Sequence, residues 1–185
     1  MRVIAGTARR LNLVTPKGMN TRPTSDKVKE TLFNMIAPDL YGCIFCDLFA
    51  GSGQMGIEAL SRGAEHATFI EKDKEALACI KKNLATTHFT EKADVLPYDV
   101  LTCLYSIDKT FGIIFMDPPY GQGVEKQVLS ILSKTSAADD DTLIILETGA
   151  KEDMSYVFSL GFEVIKVKQY KNNKHVFLKK SISEG

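Results

Sequence analysis

The stretch Asp47-Leu-Phe-Ala-Gly-Ser-Gly-Gln-Met-Gly56 decides the fold of this chain. The apolar residues 43–49 predict a buried strand, and residues 54–62 predict a helix that is closed by Gly63. The glycines form G-x-G-x-x-G at the turn from strand to helix, where the backbone can approach a ligand closely and the helix N-terminus offers unpaired N–H groups. The pattern predicts a nucleotide-type binding loop, although glycines at such a turn also serve helix packing alone.

Outward from this turn, strand-like runs alternate with amphipathic helical segments. Residues 73–84 place Leu77, Ile80 and Leu84 on one helical face, and a further helix is predicted at residues 124–133. The other predicted strands of this part of the chain are residues 67–71, 93–96, 112–116 and 142–146. Units of this length predict an α/β fold with a Rossmann-like, doubly wound, mostly parallel sheet covered by helices on both faces.

The end of the chain departs from this alternation. Residues 162–170 and 175–180 are both strand-like, and only Lys171-Asn-Asn-Lys174 separates them. Because a parallel crossover needs a dozen or more residues, the two strands must form an antiparallel hairpin. The sheet is therefore predicted to finish with an antiparallel C-terminal strand.

The start of the chain is a basic extension. Residues 2–5 and 11–14 predict a short β-hairpin, and a helix at residues 26–37 follows, capped by Thr24 or Ser25 and ended by Pro38. Residues 1–30 carry a local net charge of +5, whereas the net charge of the whole chain is zero. With 185 residues, 44% of them apolar, one globular domain is expected. We predict a basic arm at residues 1–24 on a main domain at residues 25–185.

Several classes of protein are excluded by composition and spacing. No apolar run approaches the roughly 20 residues that span a bilayer, and the N-terminus does not resemble a signal peptide, so a cytoplasmic protein is expected. Cys43 and Cys46 form C-x-x-C inside an extended apolar run, where core packing is favoured over a redox or zinc role. The three histidines are too far apart to predict a metal site.

Acidic residues follow the first three predicted strands, at the edge where open α/β sheets bind ligands. Glu71 is placed to bind ribose hydroxyls, with an exposed strand-end carboxylate as the alternative. Asp99 is placed to accept from an adenine amino group or to cap a turn. Asp47 disfavours a pyrophosphate at the glycine loop and favours a ligand with an ammonium group, so S-adenosylmethionine is preferred over a dinucleotide.

Asp117-Pro-Pro-Tyr120 follows the fourth predicted strand at the same edge of the sheet. The prolines fix the backbone and remove donors, so the Asp117 carboxylate and the Pro118 carbonyl can accept both N–H groups of a nucleobase amine. Tyr120 can stack on a base flipped out of its helix. A rigid turn with a surface aromatic is the alternative.

These two motifs resemble those of S-adenosylmethionine-dependent amino-methyltransferases, whose seventh strand is inserted beside the sixth. The resemblance is closer to the bacterial 16S ribosomal RNA guanine-N2 methyltransferases and covers nearly the whole chain. It is carried by Arg2-Val-Ile-Ala-Gly6, Arg22-Pro-Thr-Ser-Asp-Lys-Val-Lys-Glu-Thr-Leu-Phe-Asn34 and Ile57-Glu-Ala-Leu-Ser-Arg-Gly63. Family members usually have a Gly-Arg pair and a slightly longer segment after Gly6, so this arm is shorter.

The resemblance implies a class I methyltransferase fold, S-adenosylmethionine as cofactor, and a guanine of 16S ribosomal RNA on the assembling small subunit as substrate. The catalytic residues it implies are Asp117, Pro118, Pro119 and Tyr120. The cofactor-binding residues it implies are Asp47, Phe49, Gly51, Ser52, Gly53, Gly56, Glu71, Lys72, Asp99 and Val100. The RNA-binding residues it implies, near the active site, are Arg9, Arg10, Arg22 and Thr24.

Three other interpretations remain open at the level of sequence. The first is a DNA adenine-N6 methyltransferase, because Asp-Pro-Pro-Tyr can serve any exocyclic amine, although 185 residues leave little room for a duplex-reading domain. The second is a catalytically idle RNA-binding assembly factor. The third is a dinucleotide oxidoreductase, which gives the Asp117 motif no role. Charge and spacing do not decide the oligomeric state, for which a monomer is the starting assumption.

Overall fold

A computed structural model describes residues 1–16 and 25–181. In these ranges seven strands form one sheet in the order β3-β2-β1-β4-β5-β7-β6. The strands are β1 (Ile44–Asp47), β2 (His66–Ile70), β3 (Ala93–Leu96), β4 (Ile113–Met116), β5 (Leu143–Gly149), β6 (Phe162–Gln169) and β7 (Asn173–Lys180). The helices are α1 (Asp26–Met35), α2 (Ala37–Leu40), α3 (Gln54–Ser61), α4 (Lys74–Thr87), α5 (Val100–Cys103) and α6 (Val124–Leu132), with short 3-10 helices at Thr90–Lys92, Leu104–Ser106 and Ser155–Leu160.

The pairing of the strands confirms the predicted fold class. Strands β1 to β5 pair in parallel, whereas β7 pairs antiparallel with both β5 and β6. The last strand is thus inserted between the fifth and the sixth. The fifth strand runs to Gly149, three residues beyond the predicted end, because its last residues pair with the start of β7.

The two faces of the sheet carry separate cores. On one face Phe45, Phe115 and Ile145 pack against α1 to α4, and on the other Cys46, Ile114 and Leu146 pack against α5 and α6. Cys46 is fully buried, and burial raises the pKa of its thiol well above the usual value. This placement confirms the core interpretation of that cysteine.

Side-chain caps fix the beginnings of two helices, and the cap at Ser25 is one of the two that the sequence predicts for α1. The Ser25 side chain accepts from the backbone N–H of Val28, 3.3 Å away, at the start of α1, and Asp73 accepts from Ala76 at 2.8 Å at the start of α4. The first helix ends at Met35, and Pro38 lies in the first turn of the short α2, where a missing N–H costs nothing.

The N-terminal segment forms less of a hairpin than predicted. Only one antiparallel bridge, Arg2 with Asn12, joins its two halves. The backbone N–H groups of Ile4 and Ala5 instead donate to the two oxygens of Glu58 in α3, at 2.8 and 3.0 Å. Glu58 is completely buried and is also paired with Lys29, whose pKa is lowered by burial. Buried charges therefore attach the segment to the main body.

Residues 1–16 also share the core of the main domain. Val3, Ala8 and Leu13 are buried in the same cluster as the helices of that face. The proposed division at residue 24 falls in residues 17–24, which lie outside the described ranges. Among the described helices, none combines the length and the apolar character that crossing a membrane requires.

Candidate active site

A cleft of about 1080 Å³ opens at the carboxyl ends of β1 and β4. This is the position where the strand order reverses, the usual ligand position in open α/β sheets. The glycine-rich loop, the Asp117 motif, α1 and the tip of the β6–β7 hairpin line it. A smaller pocket of about 160 Å³ adjoins it and shares Phe49, Glu71 and Pro119 as walls.

The glycine-rich loop divides into residues that face the cleft and residues that support the loop. Gly51 and Ser52 line the cleft, and Gly51 has a φ of +53°, a left-handed conformation that favours glycine. Gly53 begins α3 with a φ of +80° and does not line either pocket. A Cβ at Gly56 would lie 2.4 Å from the Phe69 ring, so this glycine allows α3 to approach the sheet. Gly56 therefore serves the packing of α3 on the sheet, which is the alternative to ligand binding that the sequence left open.

Asp47 is a buried acid at the end of β1. Its side chain lies on the cleft, and Oδ1 accepts from the Phe49 backbone N–H at 3.4 Å. Burial, with a smaller contribution from the charges of Asp117 and Glu71, raises the pKa of Asp47 to about 8. A cationic group in the cleft would favour the ionised form of this carboxyl, which is the interaction predicted for an ammonium group.

Glu71 is held in place by the backbone. Its Oε2 accepts from the Gly51 N–H at 2.8 Å, and its Oε1 accepts from the N–H groups of Lys72 and Asp73, both at 2.8 Å. The carboxylate therefore bridges the loop after β1 and the loop after β2. Glu71 borders both pockets, as a ligand that spans them would require.

Asp99 caps a helix and also borders the smaller pocket. Its Oδ1 accepts from the Leu101 N–H at 3.0 Å and caps α5, and its Oδ2 pairs with Lys72 Nζ at 2.9 Å. The Lys72 hydrogen bond lowers the pKa of Asp99. Asp99, Lys72 and Val100 all line the smaller pocket, so the cap does not remove the acid from the site.

The Asp117 motif forms another part of the wall of the large cleft. Asp117, Pro118, Pro119 and Tyr120 all line it, and Tyr120 is 55% exposed, which leaves its ring free to stack on a base. Desolvation, and then the negative charge of Glu147, raise the pKa of Asp117 to about 7. No hydrogen bond from the described residues offsets this.

Glu147 is a site residue that the sequence analysis missed. It lies near the end of β5, lines the cleft and is 5% exposed. Its Oε1 accepts from Asn173 Nδ2 at 2.5 Å, and its Oε2 lies 3.0 Å from Nε2 of the buried His175. The rule applied to Glu71 and Asp99, an acid where a strand ends, also applies to Glu147 and could have found it.

Of the predicted RNA-binding residues, the structure describes Arg9 and Arg10. Arg9 and Arg10 are exposed and do not line the cleft. Their turn is attached to Ser61, since Thr7 N–H donates to its carbonyl at 2.8 Å. Gln54, at the start of α3, lines the cleft, and Ser61 lies about 10 Å further along that helix. Arg22 and Thr24 lie outside the described residues.

Other basic residues stand at the cleft instead. Lys27 of α1 and Lys168 and Lys171 of the β6–β7 hairpin line it. Residues 162–180 contain six lysines and one glutamate, a local net charge of +5 that equals the charge of residues 1–30. The positive charge of residues 162–180 is a second basic region, beside the predicted basic arm at the N-terminus.

Comparisons with known proteins agree with this geometry. Residues 1–179 match the family described as conserved hypothetical protein 95. YlbH of Bacillus subtilis, provisionally named an rRNA methyltransferase, is 43% identical over 150 residues, which cover 80% of this chain and 82% of that protein. The ribosomal RNA small subunit methyltransferase D of Escherichia coli K12 is 36% identical over 157 residues, covering 85% and 79%.

A solved structure extends the likeness to three dimensions. The yhhF protein of Escherichia coli is 31% identical, covers 98% of each chain and superimposes with a TM-score of 0.85. The two proteins therefore share one fold over nearly the whole length of each chain. The match over residues 1–179 and the similarity to the small subunit methyltransferase D proteins place this chain in the conserved hypothetical protein 95 family, the family of those methyltransferases.

Proposed function

We propose that this protein transfers a methyl group from S-adenosylmethionine to the exocyclic N2 amine of a guanine in 16S ribosomal RNA. The observation that carries the proposal is the position of Asp117, which lines the same cleft as the glycine-rich loop. Relatives named as ribosomal RNA small subunit methyltransferases support the substrate class. We further propose that the protein acts in the cytoplasm, as a monomer, on the assembling subunit.

The residues of the cleft fit S-adenosylmethionine in both charge and shape. Asp47 supplies a buried carboxyl for the ammonium group, and Gly51 leaves open space where a side chain would project. Glu71 stands between the two pockets for the ribose, and Asp99 borders the smaller, partly apolar pocket for the adenine. When bound, this cofactor supplies an electrophilic methyl carbon.

On the other wall, Asp117 and the Pro118 carbonyl accept the two N–H groups of the guanine amine. These hydrogen bonds orient the nitrogen lone pair toward the glycine-rich loop, although conjugation with the ring makes the amine a weak nucleophile. When the N–C bond has formed, the amine must lose one proton. Asp117 is the nearest acceptor, and a pKa near 7 suits that transfer at neutral pH. Tyr120 stacks on the base during the reaction.

The test uses labelled methyl transfer. Small ribosomal subunits from cells that lack this protein are incubated with the protein and S-adenosylmethionine labelled in its methyl group, and the RNA is then digested to nucleosides. We expect N2-methylguanosine at one position. Labelled N6-methyladenine in parallel incubations with DNA would support the adenine alternative. Cofactor binding without any transfer would support the idle assembly factor and overturn the proposal.

A further inference from the structure

The Asp-Pro-Pro-Tyr motif does not by itself select a base, because it can hold any exocyclic amine. Selection of guanine needs a second contact on the Watson–Crick edge. We infer that Glu147 is a specificity-determining residue that accepts the N1–H group of the target guanine beside the amine held by Asp117. This inference rests on the proposed function, because it concerns how the same cleft recognises the same base.

The sheet places the two carboxyls side by side. Met116 and Leu146 are Cα partners in the parallel pair of β4 and β5. Asp117 directly follows Met116, and Glu147 directly follows Leu146. Neighbouring strands lie about 4.8 Å apart. Residues two apart in a strand share a face, so both acids lie on the face of Phe115 and Ile145, and both line the cleft.

The Glu147 carboxylate is fixed from behind by β7. Asn173 donates to one oxygen and His175 lies 3.0 Å from the other. Tyr170 Oη lies 3.4 Å from the second ring nitrogen of His175. If the hydroxyl donates there, the other ring nitrogen, Nε2, carries a proton and donates it to Glu147. Each carboxylate oxygen can accept two hydrogen bonds and has one partner here, so each retains one lone pair.

A pair of carboxyls at this spacing matches the donors of guanine. The guanine edge presents N1–H beside the N2 amine, whereas adenine presents an unprotonated N1 beside its amine. A carboxylate opposite an unprotonated N1 would place two acceptors against each other without a proton between them, and such unpaired buried groups are strongly rejected. Glu147 thus accounts for selection of guanine over adenine by a motif that tolerates both amines.

The test changes the Watson–Crick edge of the substrate at positions 1 and 6 and keeps the N2 amine. Wild-type protein first identifies the methylated position, and 16S RNA is then ligated with 2,6-diaminopurine there and reconstituted into particles. This base keeps the N2 amine but has an acceptor at N1. We expect wild-type kcat/KM for guanine to exceed that for 2,6-diaminopurine by roughly 100-fold or more. In Glu147→Gln, whose amide can donate to N1, the ratio should fall to about 10 or less.

A control and a direct measurement keep the outcome decisive. Glu163→Gln removes an exposed carboxylate of β6 and should leave the ratio unchanged. Equal use of both bases by the wild-type protein would overturn the inference even if Glu147→Gln did not fold, and so would an unchanged ratio in a folded Glu147→Gln. Failure of the wild-type protein to methylate any guanine would overturn the proposed function as well, which separates the two results.

Discussion

The two walls of the cleft hold their acids in different ways. On the wall formed by the loops after β1, β2 and β3, Glu71 accepts the backbone N–H groups of Gly51, Lys72 and Asp73. Asp99 accepts the backbone N–H of Leu101 and also pairs with the side chain of Lys72. On the wall formed by β4, β5 and β7, Glu147 is held by side chains 26 and 28 residues away. Asp117 receives no hydrogen bond from the described residues.

This difference separates two tasks. Carboxylates such as Glu71 and Asp99, which are fixed by several hydrogen bonds, are held in one orientation, which suits the binding of a ligand with constant chemistry. A carboxyl that is desolvated and placed beside another negative charge has a raised pKa, which suits a group that exchanges protons with a substrate. We therefore call the wall that carries Glu71 and Asp99 the cofactor wall, and the wall that carries Asp117 and Glu147 the base wall.

The strongest test of this separation compares Asp117→Ala with Glu71→Ala. Asp117→Ala removes an acceptor that acts on the reacting amine, so kcat should fall by about 10²- to 10³-fold while the Kd for S-adenosylmethionine changes by less than about twofold. Glu71→Ala removes a charged acceptor from the cofactor wall, so that Kd should rise by about 10- to 100-fold with kcat at saturation largely retained. Calorimetry and single-turnover methyl transfer measure the two quantities.

Glu75→Ala is the matched control for the second variant, because Glu75 is an exposed acid in the first turn of α4. It should change neither quantity. If Asp117→Ala weakened cofactor binding as much as it slowed turnover, the two walls would not be separate. An unchanged Kd in Glu71→Ala would remove that residue from the cofactor site.

The pH dependence of turnover sharpens the contrast. The pKa of Asp117 is raised to about 7, so the carboxyl is protonated below that pH and cannot accept the amine proton. Single-turnover rates should therefore rise up to about tenfold per pH unit below 7 and level off above it. Glu147→Gln removes the neighbouring negative charge and should move this limb to lower pH. Tyr120 also faces the pair, but its own raised pKa keeps it neutral throughout.

A rate that does not change between pH 5 and 8 would show that Asp117 is ionised before substrate binds. A limb that stays in place in Glu147→Gln would assign it to another group, of which Asp47, with a pKa of about 8, is the nearest candidate. In that case the proton-exchanging carboxyl would lie on the other side of the cleft. The measurement thus locates the titrating group as well as its pKa.

The sequence predicted the cofactor wall better than the base wall for a physical reason. Glu71 follows β2 directly, and the glycine loop and Asp99 lie a few residues beyond the ends of β1 and β3. Parallel strands bring those ends together by topology alone. Glu147 depends on the pairing of β5 with β7, which extends the strand past Leu146 and supplies Asn173 and His175. Such a contact has no local pattern in the sequence.

The N-terminal residues also show that a local sequence pattern does not specify long-range packing. The net charge of +5 in residues 1–30 follows from the sequence, but charge does not specify where a segment packs. Buried hydrogen bonds to Glu58 and Ser61 place Arg9 and Arg10 at the end of α3 remote from the cleft. The six lysines of residues 162–180 are spread along two strands and their turn, and such a spacing does not by itself predict a basic surface.

The smallest expected effect concerns RNA binding. If the substrate enters along the base wall, Lys168 and Lys171 contact its phosphates and the turn of Arg9 and Arg10 does not. Lys168→Gln with Lys171→Gln should weaken RNA binding a few-fold and reduce the slope of log K against log salt by roughly 1 to 2. Arg9→Gln with Arg10→Gln removes the same charge and should leave the slope nearly unchanged.

The matched pair of double variants makes this result interpretable, because both remove two positive charges from a chain with no net charge. A general loss of electrostatic attraction would lower both slopes equally, whereas direct phosphate contact lowers only one. If the arginine variant had the larger effect, the RNA would extend along α3 behind the cofactor wall. Arg9 and Arg10 would then bind RNA as predicted, but far from the reacting base. The base wall would contact the target guanine and not the flanking RNA.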